Sequence, residues 1–140
     1  MFNILVADDQ PNIRRLYEYT LEKNGYRPFV AADGEEVLAV LERQHIDLVI
    51  LDVMMPKLDG YGCLKAMRES GINVPVLIIT ARDSAEDLRK SFMLGSDDYM
   101  TKPVDETEML LRIKAILRRS KISEEQRIVV GGTTLIYDSF

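Results

Sequence analysis

Ile46-Asp47-Leu48-Val49-Ile50-Leu51-Asp52 is an almost unbroken apolar run that ends on a carboxylate. A strand that is apolar at consecutive positions is covered on both faces, as in a parallel sheet between two helical layers. Three other runs end in the same manner. Asn3-Ile4-Leu5-Val6-Ala7 meets Asp8-Asp9, Pro75-Val76-Leu77-Ile78-Ile79 meets Thr80, and Asp97-Asp98-Tyr99-Met100-Thr101 meets Lys102-Pro103. A fifth run, Arg27 to Ala31, contains Pro28 and is predicted to be an edge strand.

Helical patterns separate these runs. After Pro11, residues Ile13, Leu16, Tyr17, Thr20 and Leu21 follow helical spacing until Gly25. Glu35 to Arg43 reads as a second helix and Tyr61 to Ser70 as a third, after the turn-rich loop Met54–Gly60. A fourth runs from about Ser84 to Leu94 and is closed by Gly95; the fifth, Glu106 to Arg119, carries Met109, Leu110, Ile113, Ile116 and Leu117 on one stripe. Strands alternating with helices predict an α/β fold, a doubly wound five-stranded parallel sheet with helices on both faces. The flavodoxin-like strand order 2-1-3-4-5 would place strands 1 and 3 side by side, with the ligand crevice at their carboxyl ends.

The 140 residues suit one domain with a piece of a second. A net charge of -5, from 18 basic and 23 acidic residues, argues against direct reading of nucleic acid by this portion. No segment approaches the roughly 20 apolar residues of a membrane span, and Asp8-Asp9 interrupts any signal-peptide pattern. Cys63 has no partner for an internal disulfide, and a cytoplasmic location is the expectation. Residues 1–120 are expected to form the main domain and 121–127 a polar linker. Residues 128–140, with Gly131-Gly132 as a turn, read as a hairpin that either packs on the main domain or starts a second one.

The strand ends carry the chemistry. Two like charges about 4 Å apart repel by about 4 kcal/mol at an effective dielectric near 20, so converging carboxylates call for a proton or a cation. Asp8, Asp9 and Asp52 offer the hard oxygens that Mg²⁺ prefers beside phosphate. Asp8-Asp9 alone reads as readily as a helix cap before Pro11, Thr80 as a β-branched strand residue, and Lys102 as a surface lysine. Asp52, at the end of a buried strand, is harder to explain blandly, because a buried charge needs a partner. A carboxylate can attack a phosphoryl group to give an acyl phosphate, with Lys102 and Thr80 placed to meet its oxygens. A phosphatase or phosphotransferase would need a second catalytic acid, and none stands beside Asp52.

With these residues in place, the chain resembles the receiver domain of two-component response regulators over about residues 2 to 119. The resemblance rests on Val6-Ala7-Asp8-Asp9, Leu51-Asp52-Val53-Met54-Met55-Pro56 with Asp59-Gly60, Ile79-Thr80-Ala81, and Gly95-Ser96-Asp97-Asp98-Tyr99-Met100-Thr101-Lys102-Pro103. It implies that Asp52 accepts phosphate from a sensor histidine kinase. It further implies that Asp8, Asp9, Asp52 and the carbonyl of Met54 hold Mg²⁺ (or Mn²⁺), that Thr80 and Tyr99 form a switch pair, and that Lys102-Pro103 is joined by a cis peptide. On phosphorylation Thr80 would move toward the new oxygens and Tyr99 would turn inward. Such a domain catalyses only its own phosphorylation and dephosphorylation.

The C-terminal third is similar to the winged-helix (OmpR/PhoB-type) transcription factors. That similarity implies a homodimer formed on activation through the fourth helix, fifth strand and fifth helix, and DNA binding by a C-terminal winged-helix domain of which residues 128–140 would be the truncated start. Asp97, Asp98, Glu108, Arg112 and Arg119 match the charged positions of that face, which pair across subunits. In the fourth helix Leu88 and Met93 replace charged residues, so apolar contacts from Leu88 and Phe92 would matter more. A stand-alone receiver that signals by phosphorylation-dependent protein binding is the competing reading. His45 is expected to end the second helix, Cys63 and Met67 to be core, and Met54 and Arg82 to flank the site. Asp33 is expected to lie away from it.

Overall fold

The computed structural model describes residues 1–81 and 84–132, with residues 122–132 described by their backbone alone. Strands and helices alternate: β1 (Asn3–Ala7), α1 (Pro11–Lys23), β2 (Arg27–Ala31), α2 (Gly34–Arg43), β3 (Leu48–Asp52), α3 (Gly60–Glu69), β4 (Val76–Thr80), α4 (Ala85–Met93), β5 (Asp98–Thr101) and α5 (Glu106–Gly132). The strands form one parallel sheet in the order β2-β1-β3-β4-β5. The doubly wound fold read from the sequence is the one observed. Pro28, which has no N–H for a ladder, sits on the edge strand β2, paired with β1 alone.

Side chains alternate across the sheet and feed two cores. Leu5, Ala7, Val49, Leu51, Val76 and Ile78 face the layer that contains Val37, Leu64 and Met67 of α2 and α3. Ile4, Val6, Leu48, Ile50, Leu77 and Ile79 face the layer of Tyr17, Leu21, Met109, Ile113 and Ile116 of α1 and α5. The central strands β3 and β4 are buried along their whole length, which is why they show no polar alternation.

Helix starts are fixed by local polar groups. Pro11 opens α1, where its missing N–H costs nothing. Asp33, Asp59 and Ser84 accept from the backbone N–H of Glu36, Gly62 and Asp87 and so cap α2, α3 and α4. At the carboxyl end of β3 the chain turns tightly into α3. Gly60 donates its N–H to Val53 O at 2.9 Å, and a Cβ there would collide with the Asp52 carbonyl. The start of α3 therefore approaches β3 closely enough to wall one side of the crevice.

The last helix departs from expectation. The α5 backbone continues to Gly132, through the residues 121–127 read as a linker and the first part of the predicted 128–140 hairpin. Ser120 to Arg127 holds Lys, Glu, Gln and Arg but no Gly or Pro, a composition that a helix tolerates. Once a helix is nucleated, each added residue gains a backbone hydrogen bond, whereas a lone strand gains none. The remainder of the predicted hairpin, 133–140, lies outside the described residues, as does Arg82.

Candidate functional site: an acidic crevice with one lysine

Adjacent central strands β1 and β3 bring Asp8 and Asp52 together, in register Ala7 with Leu51. Asp8 and Asp52 are buried, at 1% and 4% exposure, and Asp9 is exposed. One carboxylate oxygen from each of the three lies within 4.8 Å of the others. Asp8 is held rigidly: its Oδ1 accepts from Gln10 N at 2.9 Å, and its carbonyl accepts from Arg14 Nη1 at 2.7 Å. Arg14 was not singled out in the sequence, because a basic residue in a first helical turn looks like surface.

Lys102 closes the crevice from the end of β5. Its backbone N–H donates to Thr80 O at 2.8 Å, which ties it to the end of β4. Its Nζ lies 3.1 Å from Asp52 Oδ2 and 3.7 Å from Asp8 Oδ2. The Lys102–Pro103 peptide is cis. Asp52 Oδ1 also accepts from Met54 N at 3.3 Å, and the Met54 side chain is exposed.

These contacts do not fully satisfy Asp52. Desolvation raises its pKa above the usual carboxylate value, the Lys102 ammonium pulls it down, and the Asp8 carboxylate raises it again; the net direction is up. One ammonium serves two buried carboxylates beside a third acid, so the negative charge is undercompensated. That donor set, all hard oxygen with room on the Asp9 side, is consistent with the metal site of a receiver.

Thr80 is fully buried at the end of β4, one residue past the position that pairs with Asp52. Tyr99 lies two residues before Thr101 on the neighbouring strand β5, beside Ile78. It is 9% exposed and belongs to the core on the α2–α3 side, so its ring is already inward in this structure. The alternation of β5 explains this, with Tyr99 sent to one face and Met100 to the other.

Of the residues read as a dimer face, Leu88 and Phe92 lie on α4, Asp97 and Asp98 at the start of β5, and Glu108, Arg112 and Arg119 on α5; Asp97, Asp98, Glu108 and Arg112 pair within the chain. Arg112 Nη1 donates to both carboxylate oxygens of Asp98 at 2.9 Å, and its Nη2 to Glu108 Oε2 at 3.0 Å. Asp97 accepts from Val76 N at 2.9 Å and stands 3.4 Å from Arg68. Leu88 and Phe92 are exposed, and Arg119 is exposed toward the amino end of the sheet, where it lines a hollow with His45, Asp47 and Asp97.

Outside the crevice, Asp33 caps α2 and stands 3.7 Å from Lys57, apart from the acidic trio. His45 follows the last residues of α2 and pairs with Asp47 at 2.9 Å. Cys63 and Met67 are fully buried.

A family model for the response regulator receiver domain matches residues 4–114. The chain belongs to that family. A receiver domain is not a classical enzyme. Among curated proteins, the alkaline phosphatase synthesis transcriptional regulatory protein PhoP of Bacillus subtilis is 42% identical, the match covering 98% of this chain and 61% of PhoP. The transcriptional regulatory protein CpxR of Escherichia coli K12 is 45% identical, covering 91% of this chain and 54% of CpxR. The chain thus spans between about half and three-fifths of these relatives.

Among solved structures, the receiver domain of the Francisella response regulator 1452 aligns with a TM-score of 0.83 at 38% identity, over 86% of this chain and 99% of that one. The BeF3-activated receiver domain of DrrB aligns with a TM-score of 0.75 at 32% identity, over 84% and 98%. Receivers partner with histidine kinases. No helix among the described residues is long and apolar enough to cross a membrane.

Proposed function

We propose that Asp52 is the phosphoryl acceptor of this receiver and that a sensor histidine kinase is the donor. An Asp52 carboxylate oxygen attacks phosphorus, the P–N bond to the donor imidazole breaks, and the electron pair stays on that nitrogen, which takes up a proton. The product is an acyl phosphate. Asp8, Asp9, Asp52 and the Met54 carbonyl would hold a divalent cation, Mg²⁺ (or Mn²⁺), which would supply charge neutralisation for the incoming oxygens. Lys102 pairs with one phosphoryl oxygen and the Thr80 hydroxyl donates to another.

The observation that carries this reading is the buried Asp52, flanked by two acids and held by a single lysine. A phosphoryl group adds up to two negative charges and three acceptor oxygens at that point. Thr80 follows the new charge, and Tyr99 packs behind it, changing the outer surface of α4, β5 and α5.

The output that the described residues favour is phosphorylation-dependent protein binding at that face. A second reading, favoured by the relatives named as transcriptional regulatory proteins, adds homodimerisation and a DNA-binding domain beyond the shared portion. Residues 1–120 serve as the receiver in both. Incubation with Mg²⁺ and beryllofluoride or a small phosphodonor tests them together. Modification is expected on the wild type and abolished by Asp52→Asn; modification that survives this change would refute the acceptor. A shift in sedimentation to twice the mass on activation would favour the dimer, and an unchanged monomer the protein-binding receiver.

A further inference from the structure

Tyr17 lies on the buried side of α1 at 7% exposure, in the core shared by α1 and α5. It lines a groove of about 360 Å³ with Gln10, Leu16, Lys102, Pro103 and Met109. The lysine on that groove is the one whose ammonium spans Asp8 and Asp52. Among the described residues, no group hydrogen-bonds the Tyr17 hydroxyl.

A buried hydroxyl without a partner costs about 1–3 kcal/mol, and leucine or valine would fill an apolar helix stripe without that cost. What tyrosine adds at this position is an O–H. Burial, with smaller contributions from the Asp8 and then the Asp52 carboxylates, pushes the phenol up to about 12. It therefore stays protonated, a neutral donor beside a cluster of acceptors. The groove is roomy enough for water, and it reaches the Lys102 that spans Asp8 and Asp52.

We propose that Tyr17 is a positioning residue for phosphoryl transfer, its hydroxyl donating from the α1–α5 groove, through a groove water, toward the phosphoryl oxygens that Lys102 also faces. The interaction strengthens as Asp52 changes from a carboxylate to a doubly charged acyl phosphate. It acts from the side of the crevice opposite Thr80, on an element that the switch at α4 and β5 does not involve. The proposal rests on the reading of Asp52 as acceptor.

The test is the rate of phosphorylation by phosphoramidate with Mg²⁺, followed by intact mass over a range of donor concentrations, for wild type, Tyr17→Phe, Tyr17→Leu and Asp52→Asn. Tyr17→Phe keeps the ring and its packing. Its maximal rate should fall by about three- to tenfold, the worth of one net hydrogen bond, with the half-saturating donor concentration unchanged and the metal-free melting temperature within a few degrees of wild type. Tyr17→Leu should be at least as slow. A Tyr17→Phe rate within twofold of wild type overturns the proposal, whatever Tyr17→Leu does, because the ring alone would then suffice. Failure of the wild type to react, or reaction that persists in Asp52→Asn, overturns the acceptor assignment itself and is read from different lanes of the same experiment.

Discussion

At the carboxyl end of β3, Asp52 is held in a state that burial and Asp8 oppose and Lys102 only partly relieves. A neutral isostere escapes that conflict. Asp52→Asn is therefore expected to raise the metal-free melting temperature, at roughly 4 °C per kcal/mol gained for a domain of this size, as read by calorimetry. The metal response should show the converse dependence. Saturating Mg²⁺ should stabilise the wild type by about 2.7 kcal/mol at a hundredfold excess over its Kd, and this gain should vanish in Asp8→Asn, measured by thermal melts with and without EDTA. Cys63 gives a residue-scale pH effect. Burial, then Asp33 and Asp59, push its thiol up to about 12, while the unfolded thiol titrates near 9. A raised folded pKa means stability that is whole below pH 9 and lost as pH climbs toward 12. Tyr17 titrates in the same direction. Urea midpoints should thus fall between pH 9 and 11, less steeply in Cys63→Ala; a slope unchanged by that substitution would refute the Cys63 part.

Among elements, α4 is held differently from its neighbours. Its one buried residue is Ser91, whose hydroxyl meets that of Ser96 at 2.6 Å, while Leu88, Phe92 and Met93 face outward. Its other attachments are polar: Lys90 stacks 4.8 Å over the Tyr61 ring, and Tyr61 Oη donates to Asp87 O at 3.4 Å. An element with so little apolar burial opens at low cost. Amide exchange in Ala85–Met93 should accordingly outpace that in β3 and β4, by hydrogen-exchange mass spectrometry. The end of α3 is the reverse case. Arg68 donates to the carbonyls of Ile72, Val74 and Gly95 at 2.8–3.1 Å, joining the loop after α3 to the loop after α4. Arg68→Ala leaves those carbonyls short of donors and should cost roughly 2–3 kcal/mol in urea unfolding. The strands were legible in the sequence because continuous apolar runs such as Leu48 to Leu51 permit little else, and Asp52, Thr80 and Lys102 stood out by ending such runs. Arg68 and Arg14 were not legible, since carbonyl partners leave no trace in the sequence. The extent of α5 was misread for a related reason: a polar stretch such as 121–127 is a composition that a helix and a linker share.

At the scale of the whole molecule, strand order gathers the chemistry at one end of the sheet and leaves the α4–β5–α5 side for output. On that side Arg112 is already claimed within the chain, by Asp98 and Glu108. A visiting protein meets Leu88, Phe92 and Leu111 beside an Arg112–Asp98–Glu108 triad whose charges already pair with one another. Screening acts on free charges and leaves apolar contact intact or strengthened. Complexes formed on this face should therefore survive half-molar salt, and a partner that dissolves away as ionic strength rises would have to be gripping some other part of the protein.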